Sequence, residues 1–345
     1  MKFYLLSYIC ICTIIFISCK DSNVNPIPDP EPSPCEVPLF GMFDHFSKGK
    51  VPISISSDNK ILAYRSTLDT FKKIYFQNLT SNQIHSISDA KFNQYLAEFQ
   101  KAFPSPYNND EFIVVHKFRN DSIPSGDTKK VFFTSRRLYL FNFSSQTLTE
   151  ITPVKYIKFG LPAQFNPIVW LKNSSQNNDF VDCGNGGVIH LQSGEVTISD
   201  KQYSSVLTKS NDGTIVVKIN SNDSMVSLNE VPLVSWTSSS GFSLDKDNKF
   251  LSFLNYSTID TINTFQNFWK LYIVDIQKSL NANKVEFVKI IDLKNDLCAF
   301  QTRDLITLNA KNSLVLPLSR YTIQEKSNLY EIDFNGKILR QLTNE

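Results

Sequence analysis

From about residue 50 onward the chain repeats one grammar, and that repetition limits its fold more than any single motif does. Residues 51 to 88, VPISISSDNKILAYRSTLDTFKKIYFQNLTSNQIHSIS, hold four β-rich runs, VPISIS, KILAYRS, KIYFQNL and QIHSIS, with SDN, TLDTF and TSN as breaks. Each run has the length of an ordinary strand, so the unit reads as a four-stranded antiparallel meander. Five further copies follow, at 102 to 153, 165 to 199, 204 to 236, 240 to 293 and 304 to 343. Their first turns, with that of the first copy, fall near Asp58, Asp110, Asn178, Asp212, Asp247 and Asn312. One twisted four-stranded sheet cannot bury both of its faces, but six stacked radially cover one another and leave only short outer edges. The composition fits: 27 Phe and 13 Tyr against 11 Gly favour sheets and supply bulk for the layers between them. The expected fold is all-β, a six-bladed β-propeller of four-stranded antiparallel blades, formed by residues 37 to 345 as a single domain. Closure of the ring is expected from side-chain packing alone, unless residues 37 to 46 lend an extra strand.

The pieces SSDNK (56 to 60), SPYNND (105 to 110), SNDGT (210 to 214) and DKDNK (245 to 249) form one recurring turn. LYLFNFSSQTLTEIT (138 to 152) and LYEIDFNGKILRQLT (329 to 343) end on a Thr after a Tyr-containing strand. Together they resemble the WD40-like repeat of TolB-like β-propellers, whose blades carry a Ser-Pro-Asp-Gly first turn and finish on Leu-Thr. The resemblance covers about 290 residues and implies architecture; propellers of this kind serve as binding scaffolds, as gates of peptidases and as lyases.

Residues 1 to 18 read as a signal peptide rather than as part of the fold: Lys2 precedes an uncharged run from Phe3 to Ser18. Phe16-Ile17-Ser18-Cys19 resembles a bacterial lipobox, with Phe where Leu is usual, and makes Cys19 the expected site of lipidation. Its thiol would take a diacylglycerol and its freed amine a third chain, and several chains together hold a protein on a membrane. Residues 19 to 36 then carry prolines at 26, 28, 30, 32 and 34, an extended spacer of the polyproline type. Lys20 after the Cys lacks the Asp that marks retention in the inner membrane, so the expected address is the cell envelope, at the outer membrane of a Gram-negative cell.

Chemistry-bearing residues are sparse. The four histidines, His45, His85, His116 and His190, fall on different strand positions or outside the repeats, so no His-built metal site is expected. Cys35, Cys183 and Cys298 remain after processing, and three cannot all pair; free buried thiols are expected over a disulfide. The acidic stretches NNDE (108 to 111), NNDFVD (177 to 182) and DKD (245 to 247) read as solvated turns before calcium sites. Trp170, Trp236 and Trp269 are expected in core or rim packing rather than as a sugar-stacking platform. No GxSxG and no glycine-rich phosphate loop occurs, and no hydrolase segment follows the last repeat. Asn-x-Ser/Thr triplets at Asn78, Asn120, Asn142, Asn173, Asn222 and Asn255 reflect only an Asn- and Ser-rich composition in such a cell. Two insertions, 119 to 130 and 257 to 267, are expected to lengthen loops between second and third strands, where recognition often sits.

Lys plus Arg, 35, nearly balance Asp plus Glu, 33, which provides no field to steer a polyanion and argues against nucleic acid as a partner. The expectation is a monomeric, lipid-anchored binding or scaffold protein that engages an envelope protein, peptide or glycan, without catalytic residues, metal or cofactor. The alternative is a carbohydrate-active lyase or hydrolase on the same scaffold.

Overall fold

The computed structural model describes residues 49 to 343, apart from 67–72, 89–97, 121–132, 158–160, 162–166, 172–179, 184–186, 199–205, 221–222, 262–263, 298, 301–304, 309–311 and 321–326. Six antiparallel sheets follow one another along the chain and form the blades of a six-bladed β-propeller. Blade 1 is β1 (Lys50–Ile55), β2 (Ile61–Ser66), β3 (Ile74–Asn78) and β4 (Ile84–Ile87); blade 2 is β5 (Glu98–Pro104), β6 (Glu111–Asn120), β7 (Phe133–Asn142) and β8 (Thr147–Glu150). Blade 3 is β9 (Val169–Leu171), β10 (Phe180–Asp182), β11 (Gly187–His190) and β12 (Val196–Ile198). Blade 4 is β13 (Val206–Lys209), β14 (Val216–Ile219), β15 (Met225–Leu228) and β16 (Val231–Ser235). Blade 5 is β17 (Ser239–Leu244), β18 (Phe250–Thr261), β19 (Thr264–Asp275) and β20 (Phe287–Asp292). In blade 6 the inner position is shared by β21 (Ala299–Phe300) and β22 (Ile306–Leu308), both paired to β23 (Ser313–Arg320), followed by β24 (Asn328–Asp333) and β25 (Ile338–Gln341).

The second strands explain why the repeat needs its neighbours. Phe112, Ile113, Val114 and Val115 are all buried, and successive side chains of a strand point to opposite faces. Phe112 and Val114 join the core between blades 1 and 2, whereas Ile113 and Val115 join the core between blades 2 and 3. Similar layers lie between blades 4 and 5, 5 and 6, and 6 and 1. Blades 3 and 4 are joined by the ion pair of Lys209 Nζ with Asp182 at 2.9 Å. The aromatic excess is spent in these layers: Phe76 meets Phe112 and Phe141 at 5.0 and 4.4 Å between ring centres, and Phe250 of blade 5 meets Phe334 of blade 6 at 5.0 Å.

One sequence expectation changes, and two short helices interrupt the strands. The segment 257 to 267 is not a loop: β18 and β19 stay in register from Phe250↔Asp275 out to Thr261↔Thr264, so the insertion is a lengthened hairpin. The third strand of blade 5 stops at Asp275, where the carboxylate accepts the Lys278 N–H at 2.9 Å and caps a helix, α1 (Ile276–Ala282). A second short helix, α2 (Leu293–Leu297), buries Leu293 and Leu297 in the layer between blades 5 and 6.

Ring closure also takes more than side-chain packing. Gly49 forms a parallel bridge with Ser327, and the Lys50 N–H donates to the Ser327 carbonyl at 3.0 Å. A Cβ on Gly49 would sit 1.9 Å from Ser327 Oγ, so only glycine fits that approach. Gln77 Nε2 donates to the Leu342 carbonyl at 3.0 Å, and Arg340 Nη1 to the Leu79 carbonyl at 3.4 Å. Residues 37 to 46, the alternative source of a closing strand, lie outside the described residues.

Candidate functional site

The inner strands are irregular in a recurring way. Register shifts fall between Pro52 and Ser54 in β1, Phe99 and Lys101 in β5, Val206 and Thr208 in β13, and Ser240 and Ser243 in β17. Such a bulge leaves an extra residue on one strand and re-aims the side chains beside it. The extra residues, Ile53, Gln100, Leu207 and the pair Gly241 and Phe242, all line one central cavity. That cavity, about 970 Å³, is lined by all six blades and is the channel of the propeller. Its basic lining residues are Arg65, Lys101, Lys209 and Lys246, and its acidic one is Asp245.

The two ends of the channel differ. At the end formed by the first turns, side chains tie blades together: Ser57 Oγ donates to the Ser105 carbonyl at 3.0 Å, and Asn248 Nδ2 to Asp212 Oδ2 at 3.1 Å. Lys246 of blade 5 reaches Ser57 of blade 1 and donates to its carbonyl, spanning past blade 6. Lys209 here is neutralised by Asp182. The opposite end carries Arg65, whose partner Val51 lies near the start of β1, and Trp236, just ahead of β17. Trp269 is also there, opposite Tyr256 and one step beyond the Ser239↔Asn255 pair.

Two ionisable groups in the wall are displaced from their ordinary range. Burial, reinforced by the charge of Arg136, lowers the Lys101 amine from 10.5 to about 8, while Nζ donates to the Pro167 carbonyl at 3.0 Å. Burial raises the Asp245 carboxyl; its Oδ1 accepts the Lys249 and Phe250 N–H groups, both at 2.7 Å, and its Oδ2 is buried with no hydrogen-bond partner.

The residues singled out in the sequence distribute as follows. His85 lies on the outer strand of blade 1, His116 on the second strand of blade 2 and His190 on the third strand of blade 3, and none of them lines the channel. His45, Cys19, Cys35 and Cys298 lie outside the described residues. Cys183 is a free, buried thiol, pushed up to about 12 by burial. Of the acidic stretches, Asp110 accepts from Ser144, Asp182 pairs with Lys209 and Asp245 caps its own turn. Among the described residues no group of three or more His, Cys, Asp or Glu is placed to hold a metal ion.

Two of the three tryptophans pack as expected, and the third does not. Trp170 is buried in the layer between blades 2 and 3, and Trp269 packs against the layer between blades 5 and 6. Trp236 belongs to no core layer and is 39% exposed. All three also line the channel, a convergence that sequence reading missed. The only signal in the sequence was their position near blade boundaries, and three residues so far apart could be joined only through the ring. Arg65 was missed for the same reason, and Gln100 and Lys101 because a bulge carries no sequence mark of its own.

No family model matches the chain, and no curated protein does. Solved structures similar to it include TolB from Acinetobacter baumannii, 15% identical with a TM-score of 0.39, covering 66% of this chain and 52% of that one. The acylaminoacyl peptidase of Pyrococcus horikoshii is 14% identical with a TM-score of 0.44, over 85% of this chain and 44% of that one. An oligogalacturonate lyase from Vibrio parahaemolyticus is 10% identical with a TM-score of 0.40, over 87% and 78%. The chain thus spans about half the length of the TolB and peptidase structures it matches.

Proposed function

We propose that the protein is a lipid-anchored, non-catalytic binding or scaffold protein of the cell envelope, which holds a protein, peptide or glycan in its central channel. Cys19 carries the lipid in this reading, residues 19 to 36 hold the body off an outer membrane, and the propeller works as a monomer. The observation that supports it most is the channel, a cavity of about 970 Å³ lined in part by indole rings and cations. That is the size and mixture of a ligand pocket. Cys19→Ala should abolish acylation and release the processed chain from membranes, as followed by fatty-acid labelling and fractionation. Material captured on detergent-solubilised wild-type protein should be lost from a variant with the channel narrowed by Thr208→Trp. Equal capture by both forms counts against the channel as the site.

A second reading, a carbohydrate-active lyase or hydrolase, draws on Lys101. An amine brought to about 8 is suited to accept a proton near neutral pH. Turnover of an envelope polysaccharide that Lys101→Met abolishes would replace the first reading with the second.

A further inference from the structure

The channel end opposite the first turns combines features that a binding scaffold does not need for its own stability. Trp236 exposes 39% of its surface there, outside every core layer, although burying an indole is among the larger apolar gains a fold has available. Trp269 lines the same end. Arg65 lines it too, half-buried, its side chain making no hydrogen bond or ion pair to any described residue and its Nε wholly covered. A guanidinium in that position carries part of its desolvation cost without the partner, among the described residues, that ordinarily offsets it. Glu98, the carboxylate at the start of β5, is already engaged by Lys117 at 3.6 Å and by Gln100 Nε2 at 2.6 Å. Gln100 is a bulge residue facing the channel, and its amide oxygen is an acceptor beside these donors.

We propose that this end of the channel binds an acidic saccharide, a short chain of uronic-acid-type units. This rests on the binding reading above and gives it a ligand class. The indole faces of Trp236 and Trp269 match the apolar C–H faces of sugar rings. Arg65 is the carboxylate-binding group, suited to two parallel N–H···O bonds, and Lys101 adds positive charge to the same channel. The amide of Gln100 meets ring hydroxyls. The other basic lining residues do not compete, because Lys209 is paired to Asp182 and Lys246 is held by Ser57 at the far end. The volume suits an oligomer rather than a single small anion.

The test uses the full chain in detergent, titrated with a uronic-acid tetrasaccharide and with its methyl ester, which has the same rings without the charge. Tryptophan fluorescence and calorimetry are read at low and high salt. The acid should bind and alter tryptophan emission, should weaken as salt rises, and should exceed the ester by tenfold or more. Arg65→Gln should cost about ten- to a hundredfold in affinity, the range for losing a charge-assisted pair. Trp236→Ala should cost about tenfold. An unchanged melting temperature in both variants shows that the fold is intact. Equal binding of acid and ester overturns the proposal, as does acid binding untouched by both substitutions. Failure of the saccharide while an acidic peptide binds in the channel overturns it as well, yet leaves the binding reading standing. If wild-type and channel-narrowed protein also capture the same envelope material, both readings fall together.

Discussion

Ser56 and Ser210 each end an inner strand and do the same work. The Ser56 hydroxyl accepts the Lys60 and Ile61 N–H groups at 3.2 and 2.9 Å, and the Ser210 hydroxyl accepts the Ile215 N–H at 2.9 Å. Ser105 accepts from Tyr107 and Asn108 in blade 2. The chain then places a left-handed residue three positions on: Asn59, Gly213 and Asn248 have φ of 60°, 76° and 57°. Asn tolerates that conformation, so the Asp-Gly of the repeat survives only once without loss of the turn. The closing Thr is explained similarly, since Thr152 and Thr343 accept the N–H of Leu138 and Leu329 at 3.0 and 2.9 Å and are themselves buried. Blade 5 has Asp245 where blades 1, 2 and 4 have Ser, and one carboxylate oxygen is left buried and unpartnered. Asp245→Ser should therefore raise stability by about 1–2 kcal/mol at neutral pH, the cost of an unsatisfied buried group. The sign with pH follows from the raised carboxyl. The folded state holds this proton above 3.8, where the unfolded state has lost it, so wild-type stability falls as pH climbs from 3.8 through the folded value. Denaturant melts of both proteins at acid and neutral pH should converge at the acid end; a constant difference would refute the assignment.

At the level of elements, the bulges of the inner strands do most to make a site. A regular strand directs every second side chain toward one face, whereas the extra residue in β5 puts Gln100 and Lys101 together on the channel wall. Across blade 5 the same sheet supports an aromatic ladder, Phe242 on Phe253 at 5.2 Å, Phe253 on Tyr272 at 5.2 Å and Tyr272 on Phe287 at 5.4 Å, which runs from channel wall to outer edge. Lys101 carries an element-scale prediction, because its strand buries it against blade 3. Its folded amine titrates near 8 and its unfolded one near 10.5, so between those values the unfolded state binds more protons. Without ligand, stability attributable to Lys101 should rise as pH goes from 8 to 10.5. Lys101→Met should be more stable than wild type at pH 7 and should lose that rise, which melting temperatures across the interval would establish.

For the whole molecule the decisive contacts are those that close the ring. Glu331, with a side chain only 3% exposed, accepts from Ser313 Oγ at 2.9 Å and pairs with Arg340 Nε at 2.7 Å. Arg340 then reaches the Leu79 carbonyl of blade 1, so one side chain neutralises a buried charge and bridges the first and last blades. Arg340→Ala should cost about 3 kcal/mol, the low end of the range for stranding a buried carboxylate. Chemical denaturation is the measurement, and a loss below about 1 kcal/mol would show the bridge to be ornamental. The fold was legible in the sequence because the repeat makes each blade a local pattern. SSDNK, SNDGT and DKDNK mark turns by their own backbone chemistry, and FIVV marks a strand buried on both faces. The sequence by itself determined six units of four strands, the positions of the described first turns, and the separation of His85, His116 and His190. Only the tertiary structure decided that Arg65, Trp236 and Trp269 share one channel end, that 257 to 267 pair as a hairpin, and how the ring closes. The physical reason is one of range. Strands and turns are fixed by neighbours along the chain, whereas a channel wall is assembled from residues whose only relation is the rotation from one blade to the next.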